Sequence, residues 1–426
     1  MHRPTALLGL LGLLLSSSVA LAAEPSGTDA SAADQPPNET GDDGDVFDSL
    51  ASDLEQGKES ESPSAASTPT PTGAQGSQSL NPDISVIADF AAAGFSDTDN
   101  LQTGGHDPIH NGFNLQQVEL SFYAPVDPYF RFDSHFVFGH DGFELEEAYG
   151  TTVDLPGKLQ ARFGQFLTRF GRINATHPHA WDFVDQPFAL GRIFGGDGNR
   201  APGVELSWLT PLPWYLELVG SVTQATGEST ARSFLADDER TIEDPRDLLY
   251  VAAIKQFFDL SSNWSLLTGL SGAFGPSAAG PDARTEVYGV DWFLKYRPIT
   301  EGSYTEVKWQ TEAMFRRRHD PGGPISDVNG YTQLAWRFAQ RWATAARYEY
   351  GSPAFDDHGN AVVDPLDPEW TDSRYRIAAN ISHTPSEFSR LRLQGSSDLP
   401  GWRKDPIWAV FLAAELVIGS HGAHPF

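Results

Sequence analysis

The sequence predicts an all-β protein: a 16-stranded antiparallel transmembrane β-barrel with a disordered N-terminal periplasmic extension. Three observations support this. The chain opens with an export signal and has no later apolar stretch long enough for a membrane-spanning helix. From Asp83 onward it divides into sixteen short segments in which apolar and polar residues alternate. The links between those segments alternate between short and long, as they do in bacterial outer-membrane barrels.

The elements follow in order. A basic start (His2, Arg3), an apolar run from Ala6 to Leu15 and the Ala20-Leu21-Ala22 site read as a signal peptide over 1–22. Residues 23–80 are rich in Ser, Pro, Gly, Thr and acids. They hold too little apolar surface to offset the entropy of ordering, which predicts a disordered tether with one short amphipathic helix near 45–57. Residues 81–426 are the barrel. The chain has no cysteine, which removes disulfide scaffolds, thiolate catalysis and cysteine metal sites. A net charge of −28 argues against nucleic acid as a partner. No nucleophile elbow, phosphate-binding glycine loop or zinc-protease helix motif occurs, so no enzyme chemistry and no cofactor are expected.

Strands are predicted at 83–94, 114–124, 129–139, 143–153, 158–169, 203–209, 214–224, 248–258, 263–274, 286–297, 303–316, 329–338, 341–350, 374–383, 387–395 and 407–418. Short links such as Pro125-Val126-Asp127-Pro128, Leu155-Pro156-Gly157 and Ala339-Gln340 follow the even strands. Longer links, at 95–113, 170–202, 225–247, 317–328 and 351–373, follow odd ones; Gly139 to Gly142 is a tight exception. A soluble sandwich has no reason to produce this asymmetry. In 286–297 one face reads Tyr288, Val290, Trp292, Leu294, Tyr296, and in 407–418 it reads Trp408, Val410, Leu412, Leu416, Ile418. The opposite faces carry too many charges to form a packed core, so they line water and the apolar faces meet lipid. Aromatic residues near strand ends, such as Trp214, Trp264 and Trp342, suit membrane interfaces.

On that alternation the lumen is lined by Arg162, Lys295, Arg297, Lys308, Arg316, Arg318, Arg337, Arg347, Arg374, Arg376, Arg390 and Arg392, opposed by acids including Asp291, Glu306 and Glu312. Arg374 with Arg376, and Arg390 with Arg392, share the inner side of adjacent strands. They form an arginine wall that either draws anions or only neutralises facing acids such as Glu306 and Glu349. The 170–202 link carries Trp181, Phe183, Val184 and Phe188 together with Arg172, Asp182, Asp185 and Arg192, a mixture suited to a loop folded into the barrel. Within it His177 and His179 are spaced to face one way, and Asp182 or Asp185 adds an oxygen, which makes zinc chemically possible. No third nitrogen ligand is close in sequence, so packing of the two rings around Pro178 is the competing reading. His421 and His424 would fall on the opposite side of the membrane.

Three stretches resemble a Gram-negative family of outer-membrane porin-like barrels near the phosphate-selective porins O and P, some members of which are labelled zinc-regulated outer-membrane receptors. They are Gln117 to Phe122 with Ala124 to Phe130, Phe170 to Asn174 with His177 to Asp185, and His421 to Phe426. The resemblance implies an outer-membrane barrel narrowed by the 170–202 loop; the first functional reading is a passive, water-filled channel for small hydrophilic solutes. The resemblance also implies insertion by the barrel-assembly machinery into a membrane of lipid and lipopolysaccharide, and a homotrimer. Phe426 is the expected assembly signal, although it follows a Gly/His/Pro tail and the 407–418 strand itself is the rival. Sixteen strands leave room for an aqueous passage. The alternatives are a receptor or channel for zinc uptake, and an adhesin or enzyme on a barrel scaffold. An active receptor would need about 22 strands and a plug that the polar tether cannot form.

Overall fold

The computed structural model describes residues 82–419, apart from 140–141, 228, 238–241 and 300–303. The expected signal peptide and tether, Phe426, His421 and His424 lie outside the described residues.

Sixteen strands close into one antiparallel barrel: β1 (Asp83–Phe95), β2 (Gly112–Pro125), β3 (Phe130–Gly139), β4 (Gly142–Thr152), β5 (Leu159–Leu167), β6 (Arg200–Leu209), β7 (Tyr215–Thr223), β8 (Leu249–Ser261), β9 (Trp264–Pro276), β10 (Arg284–Tyr296), β11 (Glu306–Asp320), β12 (Gly323–Ala339), β13 (Trp342–Gly351), β14 (Arg374–Ser386), β15 (Ser389–Pro400) and β16 (Ile407–Gly419). Each strand pairs with its neighbours in the chain. β1 closes the ring against β16, from Ser85 opposite Gly419 to Phe95 opposite Ala409. Closure removes the two outer edges that an open sheet would present to lipid.

The two faces separate as the alternation predicts. On β16, Trp408 is 58% exposed while Phe411 is fully buried; on β14, Ile377 is 55% exposed while Arg376 is 1% exposed. The outward apolar surface is the lipid-facing surface of a transmembrane barrel.

Two links depart from expectation. The 317–328 stretch is not a long loop: β11 and β12 continue through it to a two-residue turn at 321–322, because Arg316 pairs with Asp327 across the extended hairpin and Arg318 meets Asp364 of the link after β13. A short hairpin, Ala354–Asp356 with Ala361–Val362, adds to the edge of that extension through Ile325 and Ser326. The 225–247 link is not a purely outer loop either. Its residues Ala231, Phe234 and Leu235 are buried inside the barrel, where they pack with Phe194, Leu249, Val251 and Val287. An apolar core therefore fills part of the interior next to β8–β12.

Candidate functional site

The long loop after β5, residues 168–199, folds into the barrel. Its neck is tied by Thr168, Asn174 and Asn199: Asn174 Nδ2 donates to the Thr168 carbonyl at 2.8 Å, and Asn199 N donates to Asn174 Oδ1 at 2.6 Å. Two wall positions shape its entry. Phe170 lies on Gly289, where a β-carbon would sit 2.8 Å from its ring. Gly171 adopts φ +59, and a side chain there would strike the Glu312 carboxylate. That carboxylate accepts from Arg172 N at 3.1 Å and Ile173 N at 2.7 Å, so Glu312 anchors backbone rather than lining open space. A single helix turn and more, α1 (Phe188–Phe194), is buried throughout.

The arginine wall lies inside, as predicted, but it grips this loop. Arg374 and Arg376 are 2% and 1% exposed. Arg347 Nη2 and Arg376 Nη1 reach Asp185 at 2.7 and 3.1 Å, and Gln394 donates to the same carboxylate at 2.6 Å. Arg374 and Arg376 share Asp398 on β15, and Glu349 accepts from Phe188 N at 2.7 Å. Arg390 pairs with Glu415, and Arg392 donates to the Trp181 carbonyl at 3.1 Å. Of the two readings of the wall, pairing with acids fits these contacts: Arg347, Arg374, Arg376 and Arg390 face carboxylates, and Arg392 faces the Trp181 carbonyl. Glu349 takes part, whereas Glu306 contacts Lys295 and Arg297 instead.

The remaining expected lining residues divide similarly. Arg316 and Arg318 are buried against Asp327 and Asp364, and Lys308 holds Asp182 at 2.6 Å. Asp291 meets Lys255 at 3.4 Å. Arg297 and Arg337 are exposed at strand ends on the short-turn side, in phase with the buried Asp291 and Phe293 and with the buried Gln333 and Ala335. Arg192 lies over Trp370 and donates to the Ser352 carbonyl at 2.7 Å, while Arg172 lies over Phe293. Burial alone would raise the Asp185 carboxyl; Arg347 and Arg376 hold it below its ordinary value. Asp107, from the link after β1, accepts from Gln186 N at 2.8 Å. Burial first, and then the Asp185 charge, push its pKa up to about 6.

Several cavities remain among the described residues, and three of them bear on passage. One of 1060 Å³ lies among the long loops and is lined by Thr103, Arg192, Gly196 and Trp370. One of 670 Å³ lies toward the short turns and is lined by Glu119, Asp133, His135, Arg162, Arg169 and Glu205. Between them is a space of 30 Å³, which shares Leu167 and Thr176 with the second and Gly196 with the first. Arg162, held to Glu205 at 3.1 Å, is thus an expected lining residue that does face open volume.

The two loop histidines meet partners that alternation concealed. His177 Nε2 lies 2.9 Å from Glu147, and its Nδ1 lies 3.3 Å from Glu146 and 3.7 Å from Glu119. His179 Nδ1 lies 3.0 Å from Glu119, which also meets His135 Nδ1 at 3.0 Å. The absence of a third nitrogen near in sequence is overcome in space: His135 comes from β3, and its ring centroid is 4.5 Å from that of His177. A register shift at His135/Phe136 leaves Glu146 as the extra residue on β4, so consecutive Glu146 and Glu147 both point inward. Burial opposes charge on His177, yet Glu119 and Glu146 hold its pKa well above the ordinary value. Asp182 and Asp185, considered as oxygen ligands for this pair, go to Lys308 and to Arg347 with Arg376 instead.

No family model matches the chain. A protein of Aquifex aeolicus (strain VF5), described as uncharacterised, is 33% identical over 384 residues, covering 81% of this chain and 80% of that protein. The chain belongs to the same family as that protein. Solved structures with similar folds each cover 79% of this chain. They include the outer-membrane channel DcaP of Acinetobacter baumannii (14% identity, 97% of that chain, TM-score 0.53). The anion-selective porin from Comamonas acidovorans has 10% identity, 99% coverage and a TM-score of 0.50. OmpT of Vibrio cholerae in a trimer form has 9% identity, 99% coverage and a TM-score of 0.50. At these identities the family of the Aquifex protein shares its fold with outer-membrane porins.

Proposed function

We propose that the protein is an outer-membrane porin: a passive channel for small hydrophilic solutes or ions, constricted by the 168–199 loop. The observation that carries this is the chain of three cavities inside a barrel whose outer surface is apolar. The two larger volumes open toward opposite ends, and the 30 Å³ space between them is about the share of liquid volume taken by one water molecule. The charges met on the way are Arg192, Arg232, Asp367 and Arg374 in the 1060 Å³ cavity, and Glu119, Asp133 and Glu205 with Arg162 and Arg169 in the 670 Å³ cavity.

The likeness to outer-membrane porins supports a setting of lipid and lipopolysaccharide, with insertion by the assembly machinery, and the trimer form of one neighbour supports a homotrimer. The long loops then face outward and the 670 Å³ cavity faces the periplasm. Planar-bilayer recording of the full mature chain tests the reading. Stepwise conductance with a stable reversal potential in a salt gradient is expected. A correctly folded barrel that never produces steps refutes it.

A further inference from the structure

We propose that the 168–199 loop and the barrel wall together form a binding site for a zinc-class divalent cation, with His135, His177 and Glu119 as ligands. His179 and Glu146 stand close enough to complete the shell. This does not depend on whether the barrel conducts.

Glu119, His135 and His177 each bring one ligand atom into a group whose members all lie within 4.8 Å of one another. A zinc ion with bonds of about 2.0–2.1 Å in tetrahedral geometry sets its ligand atoms about 3.3 Å apart. The separations from Glu119 Oε1 to His135 Nδ1 (3.0 Å), from Glu119 Oε2 to His179 Nδ1 (3.0 Å) and to His177 Nδ1 (3.7 Å), and from His177 Nδ1 to Glu146 (3.3 Å), bracket that value. An imidazole-rich set with few oxygens suits zinc and its neighbours and not calcium or magnesium, which take oxygen ligands.

The surroundings are those of a built site. Metal-ligating histidines commonly give their second nitrogen to a carboxylate, which fixes the ring and its tautomer. His177 does this: Nε2 faces Glu147 at 2.9 Å and leaves Nδ1 toward the ligand group. Glu147 is itself held, its other oxygen accepting from Leu167 N at 2.6 Å. The β4 bulge supplies both Glu146 and Glu147 from adjacent positions. Access is provided by the 670 Å³ cavity, whose lining includes all three histidines and Glu119. The other acid and histidine group, His106 with Glu144 and Asp197, differs: Arg200 pairs with both of its carboxylates and already supplies the positive charge. Because the ligands come from both the loop and the wall, a bound ion would cross-link the two.

The test uses the purified full-length barrel, stripped with chelator and titrated with Zn²⁺ by calorimetry, and with Co²⁺ by visible absorption. One saturable site per chain is expected, with the intense d–d bands of tetrahedral cobalt and no competition from Ca²⁺ or Mg²⁺. His135→Ala, a wall residue at the cavity edge, removes the cobalt spectrum. Glu147→Gln, which leaves every ligand in place, weakens zinc binding about 10–100-fold. Heat-modifiable migration confirms that each variant is folded. Absence of saturable binding overturns the proposal, as does binding whose affinity and spectrum are the same in both variants, because that zinc would be held elsewhere, as by His421 and His424.

Discussion

Asp185→Ala is the most informative single change. Its carboxylate is completely buried and takes three donors, from Arg347, Arg376 and Gln394. Removing one partner of a buried ion pair costs about 3–5 kcal/mol. The lower end applies here, because Arg347 keeps Glu349 at 2.9 Å and Arg376 keeps Asp398 at 2.9 Å. About 3 kcal/mol corresponds to roughly a 100-fold change in the equilibrium between seated and released loop, at about 1.4 kcal/mol per factor of ten. The barrel itself loses no strand pairing. Single-channel recording therefore reads a large rise in time-averaged conductance from a variant whose heat-modifiable migration is unchanged, together with faster protease cleavage within 168–199. A folded variant with wild-type conductance and wild-type protease resistance refutes the view that this ion cluster seats the loop.

Three further outcomes are expected. Asp107 has a folded-state pKa of about 6 against an ordinary 3.8, so the folded state binds the extra proton in that interval. The contact between the 96–111 link and Gln186, which faces Asp185 and Arg376, is then tighter below pH 4 and weakens as the pH rises through 6. Asp107→Asn flattens that part of the pH dependence of channel opening, and an identical profile in the variant refutes it. Gly171→Ala forces a side chain into φ +59 at about 1–2 kcal/mol and displaces Glu312, so the loop becomes protease-sensitive at a lower temperature than in the parent. Leu393→Arg, in the middle of the outward face of β15, lowers the stability measured by denaturant titration in lipid vesicles by about 2–4 kcal/mol; an unchanged midpoint would mean that this face does not meet lipid.

The barrel was legible because its determinants are local. Period-two alternation sorts Tyr375, Ile377 and Ile381 from Arg374 and Arg376 without reference to any other strand, and turn length follows from adjacent Pro and Gly. What escaped depends on distant partners. Nothing near Phe234 says that it will stack on Phe194 rather than cover a surface loop. The 317–328 stretch looks like a loop until Asp327 is seen opposite Arg316 across the hairpin. Alternation also assigns Glu146 and Glu147 to opposite faces, and only the bulge opposite His135 brings both inward. His177 and His179 were visible as a pair, but their meaning rests on His135 and Glu119, which lie in other strands. For the arginine row alternation left two roles open, because the acids that meet it, Asp185 and Asp398, are contributed by a loop and a neighbouring strand.

The grip on the 168–199 loop also dictates an order of assembly. Its anchors sit on β13, β14 and β15, more than 160 residues after Asp185. Contacts of such wide sequence separation form late, since the intervening chain must close first. The loop is therefore expected to seat only after β13, β14 and β15 are in place. A chain truncated before β13 lacks the receiving groups for Asp185 altogether. In the full chain, ring closure and loop seating are separate kinetic events, the first visible as heat-modifiable migration and the second as protease protection of 168–199.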